Sequence, residues 1–453
     1  MPVSFSSAAR NLFLLGSSGA DALTNFFQAI DKSSGTDDVY LAAGIKHIEY
    51  DDSILLSGSA QDPNSKRHGW LENRTDDGTL LWDSRLESTV NNVDTFIRGI
   101  EIDSNGDLVA VGNVGDVPFI SVYNSSGVLQ WQSTTNTADL KYVSVTSDSN
   151  GSYYACGFTP TANNNARFFV EKYDSSGNPG WGKSARIIGD DIVLHAIDAN
   201  SRGEVVAGGY LIDDTGTGVE TKGYFVKLDT TSGDVLWERT LEITDRDWGQ
   251  IPTCIINDVM IDGNDFIYIV GYQLNPVSGL TAGFICKYTP EGNMLWQRET
   301  GFVPDTQRWR YYSVEADTAT GQIIVLGQYI DNSGSEFGVL VKYSDSGLRL
   351  FTRSIQTDTT SLSEFGYLPV SNAGIALDAT PSFYYFLFTD QDYDSPNGLP
   401  NRFTYGKVSS SGNGLGDFQY DDGTTTTVDY KIQNTPDRIG RLSDGSVRND
   451  TSD

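Results

Sequence analysis

A chain of 453 residues with 38% hydrophobic and 11% aromatic content has ample material for a core, and 47 glycines against 14 prolines indicate many turns rather than disorder. Sixty acidic against 31 basic residues give a formal charge of -29, which repels phosphate backbones and anionic lipid and argues against nucleic acid as a partner. No run approaches the roughly 18 apolar residues of a membrane helix, so no membrane insertion is expected.

The first 42 residues differ in wording from the rest. Residues 12–15 are too short for a secretory apolar core, so no signal peptide is expected. Residues 20–30 carry Leu23, Phe26, Phe27 and Ile30 at spacings of 3, 1 and 3, with Asp21 early and Ser33, Ser34 and Gly35 behind them. This pattern predicts a short helix with one apolar face. Residues 38–42, DVYLA, read as a strand suited to closing a ring. Leu12, Phe13 and Leu15, together with Leu23, Phe26, Phe27 and Ile30, form more apolar surface than so short an appendage buries against itself. These seven are the candidate partner-binding anchor.

From residue 43 onward one phrase is written seven times. Its second half reads GWLENRTDDGTLLW, FISVYNSSGVLQW, FFVEKYDSSGNPGW, YFVKLDTTSGDVLW, FICKYTPEGNMLW, VLVKYSDSGLRLF and FTYGKVSSSGNGLG. The turn glycines Gly78, Gly127, Gly177, Gly233, Gly292, Gly347 and Gly412 are separated by 49, 50, 56, 59, 55 and 65 residues, a constant frame with loops of unequal length. The first half is an apolar strand, an acidic turn and a second strand ending in glycine, marked by Gly58, Gly112, Gly157, Gly208, Gly271 and Gly327. In the seventh unit Phe388 replaces that glycine. Unit four divides into strands over residues 195–198, 203–208, 223–229 and 234–241. Four short strands per unit of about fifty residues, rich in Val, Ile, Tyr and Phe, predict an all-β, seven-bladed propeller over residues 43–421.

Trp82, Trp131, Trp181, Trp237 and Trp296 each follow the turn glycine by four residues, with Phe351 in unit six and Gly416 in unit seven. A ring repeated in nearly every unit serves packing between blades, and the competing reading is a row of sugar-stacking platforms. Cys156, Cys254 and Cys286 lie in apolar runs without metal spacing and read as small buried hydrophobes. Beyond the last unit, GTTTTVDYKIQ suits one more strand, and residues 422–453 form a polar tail expected to be flexible.

Motifs for chemistry are sparse. His47, His68 and His195 have neither metal-ligand spacing nor an adjacent nucleophile, and His195, in LHAIDA, reads as a hydrogen-bonded histidine of an inner strand. DSNGD, DGND and DNSGSE imitate calcium loops but fall where strand turns belong, so turn chemistry is the expectation. No phosphate loop, dinucleotide fingerprint or HExxH motif occurs. No cofactor, no metal ligand and no catalytic residue is expected, and the chain is read as non-enzymatic.

The wording V-K-Y-D-x-x-G-x-x-x-W resembles the β-propeller repeat family of bacterial surface and secreted proteins, which implies the fold and little about function. The opening SFSSAARNLFLLGSSGADALTNFF is similar to that of virion proteins from tailed phages of marine cyanobacteria. That resemblance implies a tail, baseplate or fibre protein, localised to the virion and assembled in the host cytoplasm. It would attach to other virion proteins through its N-terminal segment, and its ring would contact the assembly, further copies of itself, or a host-surface glycan or protein. A secreted or surface bacterial adhesin that binds glycans is the alternative.

Overall fold

The computed structural model describes residues 26–30, 40–48, 51–61, 66–75, 79–86, 88, 93–135, 140–159, 166–185, 191–200, 202–214, 219–243, 253–275, 278–300, 308–317, 320–330, 336–355, 373–377, 383–390, 402–409, 418–421, 425–428 and 442–444. Each repeat becomes one antiparallel sheet, and seven such blades form a β-propeller. The innermost strands touch in succession around the circle, and that of blade seven, Ala373–Leu377, packs against that of blade one, Tyr40–Ile48. Blade four shows the unit whole: Asp191–Ala199 innermost, then Glu204–Asp214, Val219–Asp229 and Val235–Ile243 at the rim.

Burial follows position within the blade. The second strand of blade two, Leu108–Val114, is buried at nearly every residue, because both faces of its blade are covered by neighbours. The rim strand Leu129–Thr134 instead alternates exposed and half-buried residues. The core is therefore divided into layers between blades. In one of them Val109, Val111, Ile120 and Val122 of blade two meet Leu140, Tyr142, Val145 and Tyr153 of blade three.

The N-terminal segment differs from the sequence-based expectation. Phe26–Ile30 is a strand, not part of a helix, and it pairs antiparallel with Arg402–Ser409 as the fourth, outermost strand of blade seven. Ring closure thus falls to residues 26–30 rather than to residues 38–42, whose last three residues begin the innermost strand of blade one. Pairing with a partner almost 380 positions away supplies hydrogen bonds and coverage that the local helical spacing could not offer. Toward the C-terminus, Phe418–Asp421 and Thr425–Val428 form a two-stranded hairpin, and Leu442–Asp444 adds a fifth strand to the edge of blade four.

The first-half glycines have a shared steric cause. In blades one to six the innermost strand carries a β-bulge, with Ala43, Arg98, Val143, His195, Asn257 and Tyr312 as the extra residues. The bulge drives a backbone carbonyl toward the second strand. A Cβ at Gly112, Gly157, Gly271 or Gly327 would overlap the carbonyl oxygen of Phe96, Lys141, Ile255 or Arg310. In blade four the residue in this place is Gly209, facing Val193, and not the Gly208 picked from the sequence. Blade seven has Phe388 there, and its inner pair runs without a register shift. Gly271→Ala is expected to cost about 2 kcal/mol, because backbone rather than a side-chain tip must yield; a thermal melt against wild type checks this.

Candidate functional site in the central channel

Seven inner strands leave a channel of about 520 Å³ along the axis, a size typical of ligand pockets. The residue three positions after each bulge faces it: Lys46, Glu101, Thr146, Asp198, Met260 and Glu315 from blades one to six. Asp258 joins them from the position directly after the bulge of blade five. One ammonium group is thereby set among four carboxyl groups.

Three of these carboxyl groups are engaged. Glu101 Oε2 lies 2.9 Å from Lys46 Nζ, and Glu101 Oε1 accepts from Ile102 N. Asp198 accepts from Ile261 N of the next blade at 2.7 Å, from Ala199 N, and from Thr146 Oγ1 of the preceding blade. Asp258 accepts from Val314 N and Ser313 Oγ of blade six, both at 3.0 Å, and from Val259 N. Asp198 and Asp258 therefore tie adjacent inner strands together where no sheet hydrogen bonds run. Glu315 accepts no hydrogen bond among the described residues.

Electrostatics follow from this geometry. Burial pushes the carboxyl pKa of Glu315 up to about 8, while Lys46 draws it down and Asp258, Asp198 and Glu101 push it up. Burial likewise pushes Asp198 up to about 7 and Asp258 up to about 6, in both against the hydrogen bonds from the next blade. Burial alone would lower Lys46, but Glu101, Glu315 and Asp198 more than reverse it and hold the ammonium well above its ordinary value. Among the described residues no group of three or more His, Cys, Asp or Glu is placed to hold a metal ion.

His195, a bulge residue, has its Nδ1 3.1 Å from the Ile256 carbonyl of blade five, and burial lowers its pKa to about 4. It is a neutral, structural imidazole whose role is repeated one blade on, where Asn257 Nδ2 donates to Tyr311 O at 2.6 Å. The acidic turns are backbone caps: Asp103 Oδ1 accepts from Asn105 N and Asp107 N, and Asp262 Oδ1 from Asn264 N and Phe266 N. The segment DNSGSE lies almost wholly outside the described residues.

The repeated tryptophans hold blade to blade. Nε1 of Trp82, Trp131, Trp181, Trp237 and Trp296 donates to the carbonyl of Ser125, Ser175, Thr230, Pro290 and Asp345, each in the turn of the following blade, at 2.9–3.2 Å. The indole faces lie against the turn glycines Gly127, Gly177, Gly233, Gly292 and Gly347, whose φ values of +73° to +81° no L side chain adopts freely. Sequence reasoning passed over the lysine of the same phrase. Lys172 and Lys227 reach the next blade's Thr230 and Pro290 carbonyls at 2.9 and 2.8 Å, and Lys287 pairs with Asp345. Its recurrence in V-K-Y was the available signal. Of the seven anchor residues, Phe26, Phe27 and Ile30 fall in the closing strand, while Leu12, Phe13, Leu15 and Leu23 lie outside the described residues.

No family model matches the chain, and no curated protein matches it. Solved structures that it resembles include a chain from the complex of Drosophila Plexin A with Semaphorin 1b. That likeness has 10% identity and a TM-score of 0.45, over 85% of this chain and 86% of that one. A Lactobacillus plantarum protein is 12% identical with a TM-score of 0.44, over 82% of this chain and 99% of that one. A gluconolactonase from Xanthomonas campestris is 12% identical with a TM-score of 0.33, over 70% and 92%. The gluconolactonase corrects the expectation that the chain is no enzyme, since an enzyme stands among the structures it resembles. At this identity the likeness gives the chain no activity of its own.

Proposed function

We propose that the chain is a structural protein of a phage virion, attached through the segment before Phe26, with the propeller as a rigid module for assembly or host-surface contacts. The observation that supports this reading is the use of Phe26–Ile30 as the rim strand of blade seven. Phe26 pairs opposite Lys407, close to the end of Arg402–Ser409, so the chain enters the ring at its perimeter. A load carried by the preceding segment would pass into a seven-bladed ring through backbone hydrogen bonds. The wording of residues 4–27, similar to that of cyanophage virion proteins, gives the reading its biological setting.

The reading is tested by mass spectrometry of purified particles together with the supernatant of lysed host cells. The chain is expected in the particle fraction at a fixed ratio to the other structural proteins. Recovery in the supernatant alone, joined by retention on a glycan array, would replace this reading with that of a free adhesin.

A further inference from the structure

Two arginines share one phenylalanine at the end of the channel where the inner strands begin. Arg67 opens the third strand of blade one, and its backbone N–H donates to Asp94 Oδ1 at 2.9 Å, which sets it beside the inner strand Thr95–Ile102 of blade two. Arg98 is the bulge residue of that inner strand and lines the channel. The guanidinium carbons of Arg67 and Arg98 lie 5.4 and 5.2 Å from the centre of the Phe96 ring. Asn113, only 1% exposed, aims the second of them: its Oδ1 accepts from Arg98 Nε at 2.8 Å, and its Nδ2 donates to Gly115 O at 2.6 Å. With Nε so engaged, the Nη donors of Arg98 remain for a ligand.

Neither guanidinium has a carboxylate partner among the described residues. Asp94 is taken by the Arg67 N–H, and Asp116 pairs with Lys141. Burial, and then the Arg67 charge, lower the Arg98 pKa to about 10. In a chain with 60 acidic against 31 basic residues, two neighbouring cations without a counter-charge are a costly arrangement that a bound anion would relieve. The planar arginine fork matches the paired oxygens of a carboxylate or a phosphate. Glu101, Asp198 and Asp258 line the same channel, repel a phosphate dianion more than a carboxylate monoanion, and can accept hydrogen bonds from hydroxyl groups. A volume of about 520 Å³ suits a small molecule rather than a polymer.

We propose that this mouth of the channel binds a sugar acid, a small polyhydroxylated carboxylate, whose carboxylate is held by Arg98 and Arg67 and whose hydroxyl groups reach into the channel. The site belongs to the ring alone and goes beyond the virion reading, since it stands whether or not the chain is carried on a particle.

The test is calorimetric titration of the full chain with D-glucuronate, beside D-glucose, acetate and inorganic phosphate at equal ionic strength. Wild type is expected to bind glucuronate with a Kd on the order of 1 mM or tighter, and the other three at least tenfold more weakly. Arg98→Gln should weaken glucuronate binding at least tenfold, and Arg98→Lys, which keeps the charge but not the fork, several-fold. Absence of saturable glucuronate binding by wild type, or equal binding by wild type and Arg98→Gln, would overturn the site. Acetate, phosphate or glucose bound as tightly as glucuronate would overturn its assignment to a sugar acid. Should Arg98→Gln fail to fold, Arg67→Gln decides by the same tenfold loss, because the Arg67 side chain makes no hydrogen bond among the described residues.

Discussion

Deleting residues 1–36 is expected to destabilise the whole ring, whereas deleting residues 1–24 should leave its melting temperature unchanged. The longer deletion removes Phe26–Ile30 and with it all five residue pairs to Arg402–Ser409. Blade seven would then present a bare third strand, and the ring would rest on the contacts of Tyr40–Ile48 with Ala373–Leu377, Phe383–Asp390 and Arg402–Ser409. Five pairs at about 1 kcal/mol each set a loss on the order of 5 kcal/mol, a large part of what a typical domain has. Thermal melts and size-exclusion chromatography of the two shortened chains check this. Equal melting temperatures would show that the ring closes without its N-terminal strand.

Trp237→Ala should cost about 3 kcal/mol. The indole touches three things at once: it donates to Pro290 O, lies against Gly292, and meets Phe225 edge-on with centroids 5.6 Å apart. Alanine keeps none of these and opens a void between blades four and five. Because the same construction recurs at Trp181 and Trp296, neighbouring interfaces remain, and the protein should still fold with a lower melting temperature. An unchanged melting temperature with loss of glycan binding would instead make the tryptophans a ligand platform. Pairs of such substitutions at separated interfaces should add.

What was legible in the sequence was whatever the ring needs in nearly every blade. A turn glycine with positive φ, an indole to cover it and a four-stranded period recur because each interface between blades poses the same steric problem. Two kinds of residue escaped. Phe26, Phe27 and Ile30 have spacings that suit a helix, and only pairing with residues near position 405 makes them a strand. In the channel, Lys46, Glu101, Asp198, Asp258 and Glu315 differ in type from unit to unit, so no repeated letter marks them. They share a place only once the bulges fix the register of each inner strand. The paired Gly208 and Gly209 show the same limit on a small scale: the letters are identical, and the bulge at His195 decides which of them faces the Val193 carbonyl.

The most direct measurement of the functional account is the composition of particles assembled in cells that express either the full chain or the chain without residues 1–24. The shortened chain keeps its closing strand and a complete ring, so any defect reports attachment rather than folding. The account predicts full-length protein in purified particles and the shortened protein only in the soluble fraction. Shortened protein at full occupancy would place attachment on the propeller, and absence of the full-length chain from every particle would contradict the virion reading altogether.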